Sequence, residues 1–440
     1  MKNIYKTIAT ISMAVLGLLA VSSCSFDEVI DPNGPSVDGV LANASKGQLN
    51  ELVVGVESTL RNGIAIETTA SGTMARELYL FDADPRNTGD LLGKNGIPLD
   101  NNSFYSTSQW SGSYRCIKNA NLLIEGASNT DAITSVEQNG YLGFAKTVIA
   151  YELIQMVKSY NQARTDTTDP ENIGPLENGE AVLAFARGLL DEANGNLNNA
   201  GGSFEFGLSS GFDGFDTPST FAQFNRAVAA MAAVYSGDGG AARTALNASF
   251  FNLNGDLSVG PKHIFGLGGG DQSNGLFKVP GENGDQIIVH DSWVNDAEAG
   301  DTRVTTKTAV RPNPQSQDDL NGTNETALYE SNTSPIDIMR NEELILIYAE
   351  ASIQAGELGD AQTALDIIRN SAGLPNKDYG GAPTAAQLTS EMLTQRRYSL
   401  WAENHRMYDL RRYNLSNTLP IDRDGDQIYN TLPVPLAETN

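Results

Sequence analysis

Cysteine is nearly missing from this chain: 440 residues hold two, Cys24 and Cys116. Two thiols build no disulfide framework, so each carries its own job or none. Histidine is as scarce. His263, His290 and His405 share no metal-ligand spacing, which argues against a zinc site or a catalytic histidine. Positive charge is short too, with 29 Lys and Arg against 54 Asp and Glu and a net charge of −25. Such a chain repels phosphate backbones and anionic headgroups, which argues against nucleic acid as a ligand. There is no G-x-S-x-G elbow and no phosphate-binding glycine loop. "GLGGGDQ" at 266–272 lacks the following lysine and reads as a flexible loop. Nothing in the chain asks for a cofactor. A paired-carboxylate hydrolase stays open, because 54 acids make any one pair unremarkable. "DRDGD" at 422–426 offers Asp422, Asp424 and Asp426 as calcium ligands in a tight turn. Its glycine falls one residue early for an EF-hand loop and Pro433 takes the place of the closing acid, so a solvated turn is the competing reading.

Long apolar runs are missing after residue 24. The one that exists spans Ile8 to Val21, follows Lys2 and Lys6, and exits through small residues. That pattern is a secretory signal, too short for a membrane-spanning helix. Its end, "VSSC", resembles a bacterial lipobox, in which the cysteine becomes a lipid-bearing mature N-terminus. Residues 1–23 are therefore expected to be a signal peptide and Cys24 to carry the anchor. Each buried methylene adds about 0.8 kcal/mol of membrane affinity, so two or more acyl chains hold firmly. An ordinary cleaved signal with an incidental cysteine is the alternative. Asp27 and Glu28 resemble the acidic surface-export signal of Bacteroidetes-type lipoproteins. The Pro- and Gly-bearing stretch that follows, "SFDEVIDPNGPSVDGV", reads as a stalk, giving an acylated N-terminus and stalk over 24–44.

From residue 45 onward the chain reads as helical hairpins. Apolar residues recur at helical spacing from Ser45 to Gly63, then in "GYLGFAKTVIAYELIQMVKSY". The partner "GEAVLAFARGLLDEANGNL" is expected to face it with Val182, Phe185, Leu189 and Ala193. Two further pairs turn at "SGDGG" and at Gly356, and alanines at facing positions (Ala349, Ala351, Ala361, Ala364) let helix axes approach closely. The pairs resemble tetratricopeptide repeats, though unevenly spaced. Two blocks break the pattern. Residues 82–107 are rich in Gly, Pro, Asn and Asp, and residues 260–333 add prolines and the short strand candidate "QIIVHDSWV". Cys116 falls on a helical pattern and reads as a small buried hydrophobe. "TSEMLTQRRYSLWAENHRMYDLRRYN" reads as a closing helix.

At this point the motifs become familiar. "RNEELILIYAEASIQAGELGDAQTALDIIRNSAGLP" (340–375), "RRYSLWAENHRMYDLRRYN" (396–414), "WSGSYRCIKNANLLIE" (110–125) and the final "LPVPLAETN" together resemble the SusD/RagB family of outer-membrane nutrient-binding lipoproteins. The family's E-R-x-x-E-L-x-x-E-G-x-R-x-x-D-L-R-R run keeps Glu403, Arg406, Asp409, Leu410, Arg411 and Arg412 here, while Gln395 and Ser399 replace two acids and Asn404 the glycine. The resemblance implies a mainly α fold: a tetratricopeptide-like helical hairpin array with a loop-rich insertion carrying a few short strands, one SusD-like unit over 45–440. It further implies a non-enzymatic, lipid-anchored outer-membrane protein, facing the cell surface. Such a protein captures glycans or peptides for a SusC-like TonB-dependent transporter. A peptide-binding scaffold and a surface hydrolase are the alternatives.

Sugar capture needs flat aromatic faces for the C–H faces of pyranose rings and polar groups for hydroxyls. Tyr79, Phe81, Phe104, Tyr105, Trp293 and Tyr329 lie in or beside the two loop-rich blocks and are the candidates, expected to converge on one face. Trp110 and Trp401 sit in family-like helices and read as core. The charged residues of the 403–412 run read as a paired network that fastens the last helix to the array.

Overall fold

The computed structural model describes residues 41–169 and 172–439. The expected signal segment, Cys24 and the stalk up to residue 40 lie outside the described residues. Helix α1 (Lys46–Thr59) starts on a capping box in which the Ser45 hydroxyl accepts from Gln48 N–H and the Gln48 side chain accepts from Ser45 N–H. Gly63, left-handed at φ 82°, redirects the chain into α2 (Ile64–Met74), a helix that the sequence reading did not anticipate. Strand β1 (Leu78–Phe81) follows. Helices α3 (Phe104–Asn129) and α4 (Ser135–Tyr160) come next, the latter capped by a Thr134–Glu137 box. A two-residue ladder, β2 (Gln162–Ala163) on β3 (Glu177–Asn178), leads into α5 (Gly179–Asn198), α6 (Pro218–Tyr235) and α7 (Gly239–Asn247).

These helices stack as the periodicity predicts, α3 on α4, α4 on α5, α5 on α6 and α6 on α7. One face differs from expectation. On α5 the buried stripe is Val182, Ala186, Leu190, Ala193 and Leu197, while Phe185 is 41% exposed. The stripe advances by three or four residues and carries Val, Ala and Leu inward, which turns Phe185 to the other side and leaves Leu189 half-buried. Cys116 is buried as expected, and burial pushes its thiol well above the ordinary value, leaving it unreactive.

The block after α7 contributes β4 (Lys262–His263), β5 (Gln286–Val289), the short helices α8 (Asp291–Asn295) and α9 (Thr302–Lys307), β6 (Thr308–Gln317), β7 (Leu320–Thr326) and β8 (Ile336–Asp337). One antiparallel sheet runs β1-β5-β7-β6, so the strand before the first loop block pairs with strands of the second. The β6–β7 turn places Asp318 and Asp319 both in the left-handed region, at φ 54° and 63°, the geometry that matches strand twist in a two-residue hairpin. Its Asp318 carboxylate accepts from Thr88, Lys94 and Arg423. The two loop-rich blocks do meet, through this carboxylate and a small core of Tyr79, Phe81, Leu92, Ile288 and Leu320.

The array resumes with α10 (Asn341–Ala355) and α11 (Leu358–Ser371), turned by Gly356 at φ 81°. Ala349, Ala351, Ala361 and Ala364 are all fully buried. At the α7–α10 crossing a Cβ on Gly239 would lie 2.3 Å from the Ala351 carbonyl oxygen, so only glycine permits the contact. The closing stretch is not one helix. It divides into α12 (Ala385–Ser399) and α13 (Arg406–Arg412), with Ala402 and Asn404 left-handed at φ 60° and 56° between them. The glycine expected at position 404 is thus a backbone requirement that Asn404 meets, asparagine being among the few residues that tolerate this region. Among the described residues no helix is long and apolar enough to cross a membrane.

Candidate ligand-binding site

Four of the six candidate rings are buried, and the expected exposed cluster is corrected accordingly. Tyr79 and Phe81, two apart on β1, project to one face and stack at 5.6 Å in the small sheet core, 4% and 0% exposed. Tyr105 lies one residue inside α3 rather than in a loop; its hydroxyl donates to Asp90 at 2.9 Å and accepts from Asp100 N–H at 2.7 Å. Trp293 is fully buried, donates to the Arg397 carbonyl at 3.1 Å, and packs on Tyr398 and Trp401. Helix starts and strand alternation turned these rings inward. Trp110 and Trp401 are core, as read from the sequence.

Phe104 and Tyr329 remain half-buried, and they sit on different cores. The Arg86 guanidinium lies 4.7 Å over the Phe104 ring. Tyr329 lines an open cleft of about 440 Å³ with Lys262, Lys307, Glu330, Asp337 and Glu403. That volume is in the range of small-molecule sites, which run about 300–1,000 Å³. Burial pushes the Tyr329 hydroxyl above its ordinary value, so it stays a neutral donor and acceptor.

Two of the three calcium candidates face cations, and Asp424 is exposed. Asp422 accepts from His290 Nε2 at 2.9 Å and lies 3.4 Å from Arg76 Nε, while Asp426 accepts from Arg423 at 3.1 Å. His290 Nδ1 accepts from Ser292 N–H at 3.1 Å, which puts the ring proton on Nε2, toward Asp422. Among the described residues no group of three His, Cys, Asp or Glu is placed to hold a metal.

Glu403, Asp409 and Arg412 form the ion-paired network that the sequence suggested, whereas Arg411 bonds backbone carbonyls and Arg406 meets Glu77 and Asp409 only through space. Asp409, 2% exposed, accepts from Arg396 at 2.7 Å and from Arg412 at 2.8 Å, and Arg412 also pairs with the fully buried Glu350 at 2.5 Å. Glu403 pairs with Arg340 at 2.5 Å, and Arg411 donates to the carbonyls of Val157 at 2.6 Å and Asn430 at 2.8 Å. These bonds tie α13 to α4, α10 and α12.

One polar cluster went unread in the sequence. Glu67, Glu152, Lys158, Glu343, His263 and His405 line a narrow pocket of about 70 Å³ between α2, α4 and α10. Burial pushes the Glu67 and Glu343 carboxyls up to about 7 and Glu152 to about 8, and pushes Lys158 and both histidines down. Such shifts often mark active sites. Here the space suits a few waters, since a water's share of liquid is about 30 Å³, and no saccharide ring fits. The signal was present in "AYELIQMVKSY", where Glu152 and Lys158 interrupt an otherwise apolar buried face.

Comparison with known proteins follows the geometry. The SusD family model matches residues 281–434. Among solved structures, a SusD superfamily protein from Bacteroides vulgatus aligns at a TM-score of 0.63 and 16% identity, covering 90% of this chain and 96% of its own. Surface glycan-binding protein A from Bacteroides uniformis gives 0.61 and 17%, covering 84% and 88%. A laminarin-binding SusD-like protein gives 0.64 and 16%, covering 90% and 97%. A search of curated proteins finds no match. The chain carries the SusD family signature in residues 281–434, on a SusD-like fold that runs through nine-tenths of its length.

Proposed function

We propose that the protein is a non-catalytic, lipid-anchored oligosaccharide receptor of the outer membrane, exposed at the cell surface, that passes its ligand to a SusC-like TonB-dependent transporter. The observation that carries the reading is the family signature on a fold shared with proteins described as glycan- and laminarin-binding. Two features support it. The cluster of perturbed carboxyls lines a space too small for a substrate, and open clefts of saccharide size lie on the surface. Phe104 and Tyr329 are the candidate rings that keep exposed area for stacking on a sugar. One organisation accompanies the reading: signal peptide 1–23, acylated stalk 24–44, and one ligand-binding unit over 45–440.

The test is a thermal-shift panel of oligosaccharides and peptides on the purified protein, since a ligand that binds only the folded state raises the midpoint. A rise with oligosaccharides alone supports the proposal. A rise with peptides alone replaces it with the scaffold reading, and release of products from any polymer replaces it with a hydrolase. The anchor has its own test. Cys24→Ala is expected to move the protein from the membrane fraction to the soluble or unprocessed pool. Normal processing with retention in salt-washed membranes would sink the anchor.

A further inference from the structure

A second cleft, of about 610 Å³, opens between α12, the turn that follows α8 and the segment that follows α11. Its α12 wall carries Gln387, Ser390, Glu391, Thr394, Gln395 and Tyr398. These positions advance by three or four residues over three turns, so they form one stripe along the helix. A helix side turned toward other segments of its own chain ordinarily presents apolar residues. This side presents amides, hydroxyls and a carboxylate.

Four of the five acids around the cleft are ion-paired, while Asp378 accepts from the Gly380 N–H. Glu298 accepts from Arg369 at 2.7 Å, Glu391 from the same guanidinium at 2.7 Å, Asp296 from Arg397 at 2.9 Å and Asp301 from Arg303 at 2.7 Å. Arg369 serves two of these acids, and Lys377, 3.8 Å from Glu298 and 3.7 Å from Glu391, supplies the fourth cation, so the four paired acids are balanced. What is left unmatched is hydroxyl. Tyr398 is 2% exposed and lines the cleft, yet its Oη has no hydrogen-bond partner; the Oη of Tyr379, in the facing segment, has none either. Buried polar atoms in folded proteins nearly always find a partner, in the protein, in water or in a ligand. Both oxygens are buried beside the cleft and stand unpaired, so a small turn of either side chain would offer its hydroxyl to a ligand in the cleft.

We propose that this cleft is a saccharide subsite, in which Tyr398 and Tyr379 exchange hydrogen bonds with hydroxyls of a neutral sugar while the α12 stripe binds its edge. The proposal rests on the glycan reading and deepens it, adding a cleft that shares no lining residue with that of Tyr329. A single sugar ring fits easily, since sites of this size enclose drug-sized ligands.

The experiment titrates the purified full-length protein with glucose, N-acetylglucosamine, laminaritriose and, as a peptide probe, Gly-Gly, and follows tryptophan fluorescence. Trp293 reports directly, because its ring lies 5.0 Å from that of Tyr398, tilted by 47°. Tyr398→Phe keeps the ring and deletes only the unpaired hydroxyl. It is expected to weaken sugar binding about tenfold while leaving the midpoint of the free protein unchanged or higher, because removing an unsatisfied buried group relieves a cost. Thr394→Trp, at an exposed position on the same stripe, fills the cleft and is expected to abolish the Trp293 response. If both variants bind sugar as the wild type does, the subsite is wrong and the glycan reading stands. A wild type whose fluorescence answers no sugar overturns the subsite, while the thermal-shift panel decides the glycan reading separately. A saturable response to Gly-Gly alone, lost in Thr394→Trp, keeps the cleft and overturns its ligand class.

Discussion

An Asp409→Ala protein is expected to lose about 3–5 kcal/mol of stability, the usual result of removing one member of a buried charge pair. Asp409 is 2% exposed and stands between Arg396, 1% exposed, and Arg412. Deleting it strands two guanidiniums that have few other anions. Arg412 keeps Glu350, whereas Arg396 keeps only His405 Nδ1 at 3.3 Å, a neutral neighbour. Burial alone would push the Asp409 carboxyl up; Arg396 and then Arg412 outweigh it and hold it below the ordinary value. The sign follows from that depression. The pair's stability is present above the unfolded-state value of about 3.9 and is lost as pH falls through the lower folded value. Urea unfolding of wild type and variant at neutral pH and near pH 3 checks both parts, with the difference shrinking in acid. An unchanged midpoint together with lost ligand binding would move Asp409 from scaffold to binding site.

The ion pairs of that network are legible in the sequence, because a run of alternating charge within an apolar helical frame has few structural uses. The helical pairs were legible for a similar reason. Period 3.6 patterns with alanine at facing positions describe close-packed helices, and the buried Ala349, Ala351, Ala361 and Ala364 are where that pattern placed them. What failed was local backbone geometry. Neither the turn at Gly63 into α2 nor the break between Ser399 and Arg406 is written in hydrophobic period. Both depend on residues that accept positive φ, and at Ala402 the surrounding fold imposes it on a residue that otherwise avoids it.

The ring candidates failed for a different physical reason. A Gly- and Asn-rich block looks like loop, but β1 and β5 pair across it and form a sheet with an interior. Once Tyr79 and Phe81 belong to a strand with a buried face, they are core by alternation. The cleft residues were legible only in retrospect. Gln387, Glu391, Thr394 and Tyr398 keep helical spacing, yet in sequence a polar stripe is the ordinary mark of a solvated face. Only the packing of the 296–301 and 374–379 segments around it distinguishes a lined cleft from an outer surface.

The second large effect concerns the interior carboxyls. Glu152→Gln is expected to come within about 1 kcal/mol of the wild type at pH 5 and to exceed its stability by on the order of 5 kcal/mol at pH 9. Glu152 lies in the middle of α4, 5% exposed, among groups from every element around it: Glu67 on α2, Cys116 on α3, Lys158 on α4 itself, His263 on β4, Glu343 on α10 and His405 before α13. Burial pushes its carboxyl up to about 8; Ser113 opposes the rise and Glu67 adds to it. In the unfolded chain the same group titrates near 4.3. Between those values the folded protein holds a proton that the unfolded chain has released. The stability tied to the neutral carboxyl is therefore complete below the unfolded value and drains away as pH rises through about 8. His263 and His405 act in the opposite sense, since burial pushes both down, but their window closes near the ordinary histidine value of about 6.5. Lys158, also pushed down, opposes the carboxyls at higher pH. Comparing wild type with Glu152→Gln at each pH cancels these shared terms, because glutamine keeps the shape and a hydrogen-bonding group while removing the titration. Urea midpoints at pH 5, 7 and 9 read the gap directly. Parallel curves over that range would show that Glu152 is solvated in the folded protein, and that the pocket beside it is open to bulk water.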